Sequence, residues 1–568
     1  MYLLGITNGE TASACLVRNG KLISAVSEER FTRIKMDSSW PSKSIDYVLK
    51  NEGIEFKDID KICYSWSKGF DGDELLLNYF DRITYEAKNN PNGLSLFRDR
   101  IKVEIQRDKI KRIEYFNFIK KNNLEKKSYI INHHKGHMFS ALSFSNFKDS
   151  LVITADGRGD FESLTVSFYK NNKIEKLYSA TSNDSLGTFY ARISKLLGFI
   201  PHRHEGKVTG LSAHGDYKKC IHLMKKMIMF KDGKLYGING PFYKSFHQDH
   251  GQFKAWSQKA LKEFKNFSKK DIAAAAQKHL ENIILEIIRH YQKKNKSKNI
   301  CLAGGVFANV LVNQKIKELK NIKNVFIQPQ MGDGGLALGA VASYYFEKTN
   351  KQIKFDDMYL GPKYDLSKNE ILFLEKKYNL TIKKKNIPNL IVESLKKNKV
   401  IGLFQGRMEF GPRALCNRSI IYHCFDKEIN LSLNQRLDRY EFMPFAPIVA
   451  DKYCQKAFKN ISKKETSGKF MTMTYASTKT MKKNCPAAIH VDGTARPQII
   501  TRKNNLLMHK VLLKWEKETN QIGLLNTSFN HHEEPIVCTP EDAIKSFIRN
   551  NTDVLIINNF EVIKNDDI

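Results

Sequence analysis

A chain of 568 residues, 41% hydrophobic and 11% aromatic, carries ample apolar material for packed cores but is too long for one, so disorder is not the default and two to four domains are expected. The formal charge of +33 comes from lysine interspersed with asparagine, isoleucine and glutamate, as in residues 120–127. No arginine and aromatic groove emerges, so nucleic acid is not the expected partner. The nine cysteines form no CxxC pair, no run approaches the roughly 20 apolar residues of a membrane span, and the apolar residues 1–6 meet Asn8 and Glu10 without a basic leader. A cytoplasmic protein with reduced thiols is expected.

In chain order, residues 3–7, 13–17 and 22–26 predict three strands, the last two joined at Asn19-Gly20, because Asn-Gly between alternating apolar runs signals a hairpin. The run His133-His134-Lys135-Gly136-His137 follows. On a helix, His133 and His137 project from one face and can converge on one metal ion. Residues 151–155, 164–169 and 174–178 repeat the opening plan, with a turn at Asn171-Asn172, and the first of these strands ends in Asp156-Gly157-Arg158-Gly159-Asp160. Two copies of strand, polar loop and hairpin suggest a duplicated α/β domain on the actin and sugar-kinase (ASKHA) plan.

Residues 268–293 predict a helix, with Ser268 and Asp271 in capping-box spacing and Leu280, Ile284, Ile287, Ile288 and Tyr291 on one face. Strand 300–303, Gly304-Gly305 and helix 306–319 come next, then strand 325–328, Gly332-Asp333-Gly334-Gly335 and helix 336–343. Strand, glycine turn and helix present backbone N–H groups to phosphate or ribose, which makes Gly304, Gly305 and Gly332 candidates for nucleotide contact. Asp156 and Asp333, at strand-end and glycine-turn positions, complete a candidate metal set with His133 and His137.

Residues 346–388, lysine-rich and without sustained apolar pattern, are expected to connect a first domain, 1–345, to a last one, 389–568. There a strand at 400–404 leads into Gln405-Gly406-Arg407-Met408-Glu409-Phe410-Gly411-Pro412-Arg413-Ala414-Leu415, and His490-Val491-Asp492-Gly493-Thr494-Ala495-Arg496-Pro497-Gln498 and Leu525-Asn526-Thr527-Ser528-Phe529-Asn530 follow. Arg407, Arg413 and Arg496 beside glycine or proline, with Arg418 close behind, suit bidentate binding of phosphate oxygens; bracing of turns is the other reading. Asn526 and Ser528, at strand spacing, point the same way.

These motifs, with the histidine run and the glycine turns, strongly resemble the NodU/CmcH-type O-carbamoyltransferase family, in order and over nearly the whole chain. The series includes Gly5-Ile6 with Ala12-Ser13-Ala14, Glu28-Glu29-Arg30-Phe31 with Arg33 and Lys35, Glu205-Gly206-Lys207 with Gly210-Leu211, Ala303-Gly304-Gly305-Val306 with Asn309, and Pro444-Phe445-Ala446-Pro447. The resemblance implies an actin-like N-terminal domain similar to the threonylcarbamoyl-transfer proteins, with Fe(2+) or Zn(2+) on His133, His137, Asp156 and Asp333. It implies a YrdC-like C-terminal domain that forms carbamoyl adenylate from carbamoyl phosphate and ATP. The carbamoyl group would pass to a free hydroxyl of a small-molecule or glycan acceptor, a sugar or secondary metabolite, with loss of AMP; a homodimer is compatible with this.

On that reading Arg413 and Arg496 bind phosphate, and Asn526, Ser528 and Asn530 hold the carbamoyl group and phosphate oxygens. Gly304, Gly305 and Asn309 hold adenosine, while Glu205 and Lys207 hold its ribose and phosphate. Three departures from the family pattern stand out. Glu10-Thr11 replaces a frequent His-Asp, leaving Glu10 as the candidate base. Leu437 and Met443 replace a lysine and an arginine, with Arg436 or Arg439 as candidate substitutes. Cys416 stands where glycine is usual and, without a histidine adjacent, reads as a buried small residue. Threonylcarbamoyl transfer to tRNA fits the charge but not the Arg413 and Arg496 segments, and a non-catalytic nucleotide-binding partner conflicts with the intact metal and arginine sets.

Overall fold

Asn19 and Gly20, at φ of 49° and 75°, turn the chain between Ser13–Arg18 and Lys21–Ser27, the geometry an Asn-Gly hairpin requires. The computed structural model describes residues 1–67, 73–89, 93–237, 248–249, 252–253, 256–354, 356–438, 444–462, 465–550 and 552–565. Its first five-stranded sheet has the order Lys21–Ser27, Ser13–Arg18, Tyr2–Thr7, Lys61–Tyr64, Ser128–Ile130. The second has the order Lys173–Thr181, Glu162–Lys170, Asp149–Gly159, Asn299–Ala303, Asn324–Ile327. In each sheet the central strand is antiparallel to the hairpin beside it and parallel to the next strand on its other side. The α/β duplication expected from the sequence is therefore present.

The chain divides into two compact units, Met1–Leu22 with Gly53–Phe355, and Ile23–Glu52 with Asp356–Ile568. These units group the chain differently from the expected bounds. Residues 23–52, expected in the first domain, belong to the second unit, where Ala25 donates its N–H to the Leu360 carbonyl at 3.2 Å. The supposed connector 346–388 holds regular elements: the helix Leu336–Thr349 runs into it, Ser367 and Glu370 form a capping box for the helix Lys368–Tyr378, and Leu380–Lys384 pairs with Phe560–Lys564. Lysines on the exposed sides hid this amphipathic pattern.

In the first unit, the predicted helix at 268–293 is Lys269–Asn295, with Ser268 accepting the Asp271 N–H as its N-cap. The helix expected over 306–319 begins later, at Val310, because the Asn309 side chain caps it by accepting from Val312 N–H at 3.2 Å. The helices His133–Ser145 and Leu336–Thr349 cross where Gly339 meets Gly136; a Cβ on Gly339 would lie 1.8 Å from the Gly136 carbonyl oxygen. Two helices, Asp73–Asn89 and Gly93–Lys121, fill a region in which the sequence showed no readable chemistry.

The second unit is built on an eight-stranded sheet in the order Leu380–Lys384, Phe560–Lys564, Val554–Ile557, Ile401–Phe404, Arg418–Tyr422, Gly523–Ser528, Ala446–Ala450, Gln498–Ile500. Ile391, Leu403, Ile421, Ile448, Leu512 and Trp515 are buried together in its core. Cys424 and Cys485 face each other with Cα atoms 4.7 Å apart, a spacing that a disulfide accommodates. Cys416 sits at φ 74°, a left-handed conformation that explains why glycine suits its place, and burial pushes its thiol well up. Among the described residues no helix is long and apolar enough to cross a membrane.

Candidate metal centre and arginine site

Asn132 starts the histidine helix by accepting the Lys135 N–H on Oδ1 at 3.0 Å, which places His133 and His137 one turn apart and fully buried. The β-strand Asp149–Gly159 brings Asp156 to them, and the turn after Asn324–Ile327 brings Asp333. His137 Nε2 lies 3.1 Å from His133 Nε2, 3.0 Å from Asp156 Oδ2 and 3.7 Å from Asp333 Oδ1, while His133 Nε2 is 3.6 Å from Asp333 Oδ1. One ligand atom from each of the four residues falls within 4.8 Å of every other. Tetrahedral ligands at about 2.05 Å from a zinc-sized ion are about 3.3 Å apart, so this set of two imidazoles and two carboxylates fits a divalent cation. With two like nitrogen atoms in contact, at least one must be an acceptor.

Other groups hold these ligands. Gly305 N–H donates to Asp156 Oδ2 at 3.0 Å, and Glu10 N–H donates to Asp333 Oδ2 at 2.9 Å. Asp160 Oδ2 accepts the N–H groups of His133 and Ser67, both at 2.8 Å, and the Trp66 ring packs edge-on to His133 with centroids 4.5 Å apart. Burial lowers the His133 imidazole to about 4. Burial opposes the charge on His137 too, but hydrogen bonds to Asp156 and Asp333 win and hold it up to about 9. A signal for these supporting groups exists only in part: Asp160 lies in the motif that contains Asp156, whereas Gly9 drew no attention. A Cβ on Gly9 would lie 2.3 Å from Asp333 Oδ2. Gly9→Ala is therefore expected to displace that carboxylate and weaken metal binding by about tenfold to a hundredfold, as measured by competition with a chromophoric chelator.

The other candidates in this unit divide. Glu10 stands beside the metal set, its carboxylate 3.5 Å from His202 Nδ1. Desolvation raises its half-exposed carboxyl, and Asp333, Asp156 and Glu205 add to this against the opposing pull of His202. Glu205 accepts the His202 N–H at 2.7 Å, and Lys207 lies two residues on in the helix Glu205–Leu211. Gly332, with open space where a Cβ would project, caps the turn Asp333–Gly335. Gly304 makes its turn at φ 100°. Asn309 is a correction: its Nδ2 donates to Gln277 Oε1 at 2.7 Å and its Oδ1 caps a helix, so both ends of the amide are used inside the protein and not on adenosine.

In the second unit the arginines separate by what surrounds them. Arg407 donates to the carbonyls of Gly361 and Ile23 at 3.2 and 3.0 Å and to that of Leu360. Arg418 is fully buried, stacks 3.6 Å over the Phe404 ring centroid, and donates to Gln405, Asn417, Pro362 and Gly406 carbonyls at 2.7 to 3.3 Å. Both brace turns, which corrects their assignment to ligand binding. Arg413 makes no hydrogen bond or ion pair among the described residues, and burial without a compensating anion lowers its guanidinium to about 10. Asn530 is a further correction, because its Nδ2 donates to His531 and Glu534 carbonyls at 2.7 and 3.0 Å and so braces its own loop.

Three segments meet at Gln498. Its Oε1 accepts from Asn526 Nδ2 at 2.8 Å and from the Cys416 thiol at 3.1 Å, and Asn526 Nδ2 also donates to the Ala414 carbonyl at 3.1 Å. Arg413, next to Ala414, and Arg496, two residues before Gln498, are thereby tied to Asn526, and Ser528 lies at strand spacing from it. Asn526 Oδ1 and Gln498 Nε2 are left buried with no partner among the described residues. Of the substitutes named for the absent family cations, Arg436 pairs with Asp553, and Arg439 and Met443 lie outside the described residues; Leu437 is buried.

Glu409 also organises this site, and the sequence reading passed over it. Buried, its Oε1 accepts the N–H groups of Leu415, Asn417 and Arg418 at 2.7, 2.8 and 3.0 Å, and so shapes the loop that carries Arg413. Arg30 holds the same loop by donating to the Gly411 carbonyl at 2.9 Å. Glu409→Ala is expected to cost about 1.5–3 kcal/mol, read as a lower denaturant midpoint for the second unit.

The chain matches the family models Carbamoyltransferase N-terminus over residues 3–342 and Carbamoyltransferase C-terminus over residues 392–564. An uncharacterized protein of Methanocaldococcus jannaschii is 32% identical over 575 residues, covering 99% of each chain. Nodulation protein NolNO of Sinorhizobium fredii is 30% identical over 565 residues, 97% of this chain and 78% of that protein, and Nodulation protein U of the same species is 27% identical over 266 residues, 46% and 45% of the two. Because the two matched regions take in both the four-ligand cluster and the arginine site, the chain belongs to the carbamoyltransferase family and is a transferase.

Proposed function

We propose that the protein is an ATP-dependent O-carbamoyltransferase whose second unit, read as YrdC-like, forms carbamoyl adenylate and whose first unit, read as actin-like, transfers the carbamoyl group to an acceptor hydroxyl. The observation that carries this is Arg413, a half-buried guanidinium that meets no anion among the described residues. Carbamoyl phosphate and ATP bring several negative charges, and such a cation offsets them. Carbamoyl phosphate, ATP and water would give carbamoyl adenylate, phosphate and pyrophosphate. Asn526 Oδ1, an acceptor, and Gln498 Nε2, a donor, complement the NH2 and C=O of a carbamoyl group.

In the first unit His133, His137, Asp156 and Asp333 would hold a divalent ion, iron or zinc. When bound, it supplies Lewis-acid charge for a carbamoyl or phosphate oxygen. The acceptor hydroxyl adds to the carbamoyl carbon, Glu10 takes its proton, and the bond to the adenylate phosphate breaks to release AMP. Glycine-turn N–H groups near Gly304 and Gly332, with Lys207, would face the nucleotide. Pyrophosphate release from ATP that depends on carbamoyl phosphate tests the reading. Release that needs threonine and bicarbonate instead, or no release, overturns it.

A further inference from the structure

The helix Gly93–Lys121 drew no functional reading from its sequence, because its charges follow no simple face. Its turn from Arg107 to Lys111 nonetheless grips both loops that frame the metal set. Lys111 Nζ bonds the Asn8 carbonyl, two residues before Glu10. Asp108 Oδ1 accepts from Arg158 Nη1 at 2.9 Å, two residues after Asp156. Asn8 is itself held by Tyr64, whose hydroxyl donates to Asn8 Oδ1 at 2.7 Å, so the arrangement is built and not incidental. Arg107, one turn before Lys111 on the same helix face, makes no hydrogen bond or ion pair among the described residues.

We propose that Arg107, backed by Lys111 and Arg158, forms an oxyanion subsite beside the metal set that takes a phosphate or carboxylate group of a substrate of the transfer reaction. This rests on the carbamoyl-transfer reading. Burial and the nearby cations Arg158 and Arg100 lower the Arg107 guanidinium, and Glu10 and Asp108 pull the other way; Arg158 and Arg100 are paired with Asp108 and Glu104, whereas Arg107 has no such partner among the described residues. Two sources share the chemistry: the phosphate of the adenylate donor, or an acidic group on the acceptor.

Calorimetric titration of the full chain with AMP and with glucuronate separates them, using the wild type, Arg107→Ala and Arg107→Lys. A lost charge-assisted contact is expected to weaken one probe about tenfold or more in Arg107→Ala, with partial recovery in Arg107→Lys. Weaker AMP identifies the donor phosphate as the ligand, and weaker glucuronate identifies an acidic acceptor. Equal behaviour of the wild type and Arg107→Ala toward both probes overturns the subsite. Carbamoyl-phosphate-dependent pyrophosphate release by the wild type is measured in parallel, so a failure of the functional reading is seen apart from a failure of this one.

Discussion

Replacing Arg413 by alanine is expected to lower carbamoyl-phosphate-dependent pyrophosphate release by about a thousandfold, equivalent to about 4 kcal/mol of transition-state stabilisation. The magnitude follows from its surroundings. An arginine already bonded to protein carbonyls has little left to give a phosphate, whereas Arg413 has its full fork of donors uncommitted among the described residues. Arg413→Lys keeps the charge but loses bidentate geometry, so it should recover only part of the rate. Arg407→Ala and Arg418→Ala, which remove turn braces, should instead lower stability first. Pyrophosphate assays beside denaturant melts of the same preparations make the comparison, and a normal rate in Arg413→Ala would remove the main support for the proposed chemistry.

His137→Ala is expected to do the opposite: pyrophosphate release stays within about twofold of the wild type, while carbamoyl transfer falls by at least about a hundredfold together with metal content. His137 touches three of the donor atoms in the cluster, so its loss opens the set at its centre. The readouts are the metal content of the purified chain and accumulation of carbamoyl adenylate against carbamoylated product. Loss of the same half-reaction in Arg413→Ala and His137→Ala would show that the two units do not divide the chemistry as proposed.

Much of this was visible before folding was considered. The Asn19-Gly20 hairpin, the repeated strand plan and the helix after Ser268 were legible because each depends on neighbours in sequence, with apolar periods of 2 or 3.6 and turn residues at set positions. The four metal candidates were legible for a related reason: two sit on one helix face and two at strand or turn ends, where topology gathers side chains. The unit boundary was not. Whether residues 23–52 group with what precedes them or with a segment more than 300 residues later is decided by long-range contacts that leave no local period.

The arginines draw the line most sharply. By sequence alone Arg407, Arg413 and Arg418 are alike, each near a glycine or a tight turn and each fit for phosphate or for bracing. Composition and motif therefore determined that an anion site could be built in this stretch and which residues were eligible. Only the tertiary structure decided that Arg407 spends its donors on the Ile23 and Gly361 carbonyls, Arg418 on four others, and Arg413 on none among the described residues. The reason is that a residue's type sets how many hydrogen bonds it can make, while the carbonyls that folding brings within about 3 Å set how many remain for a ligand.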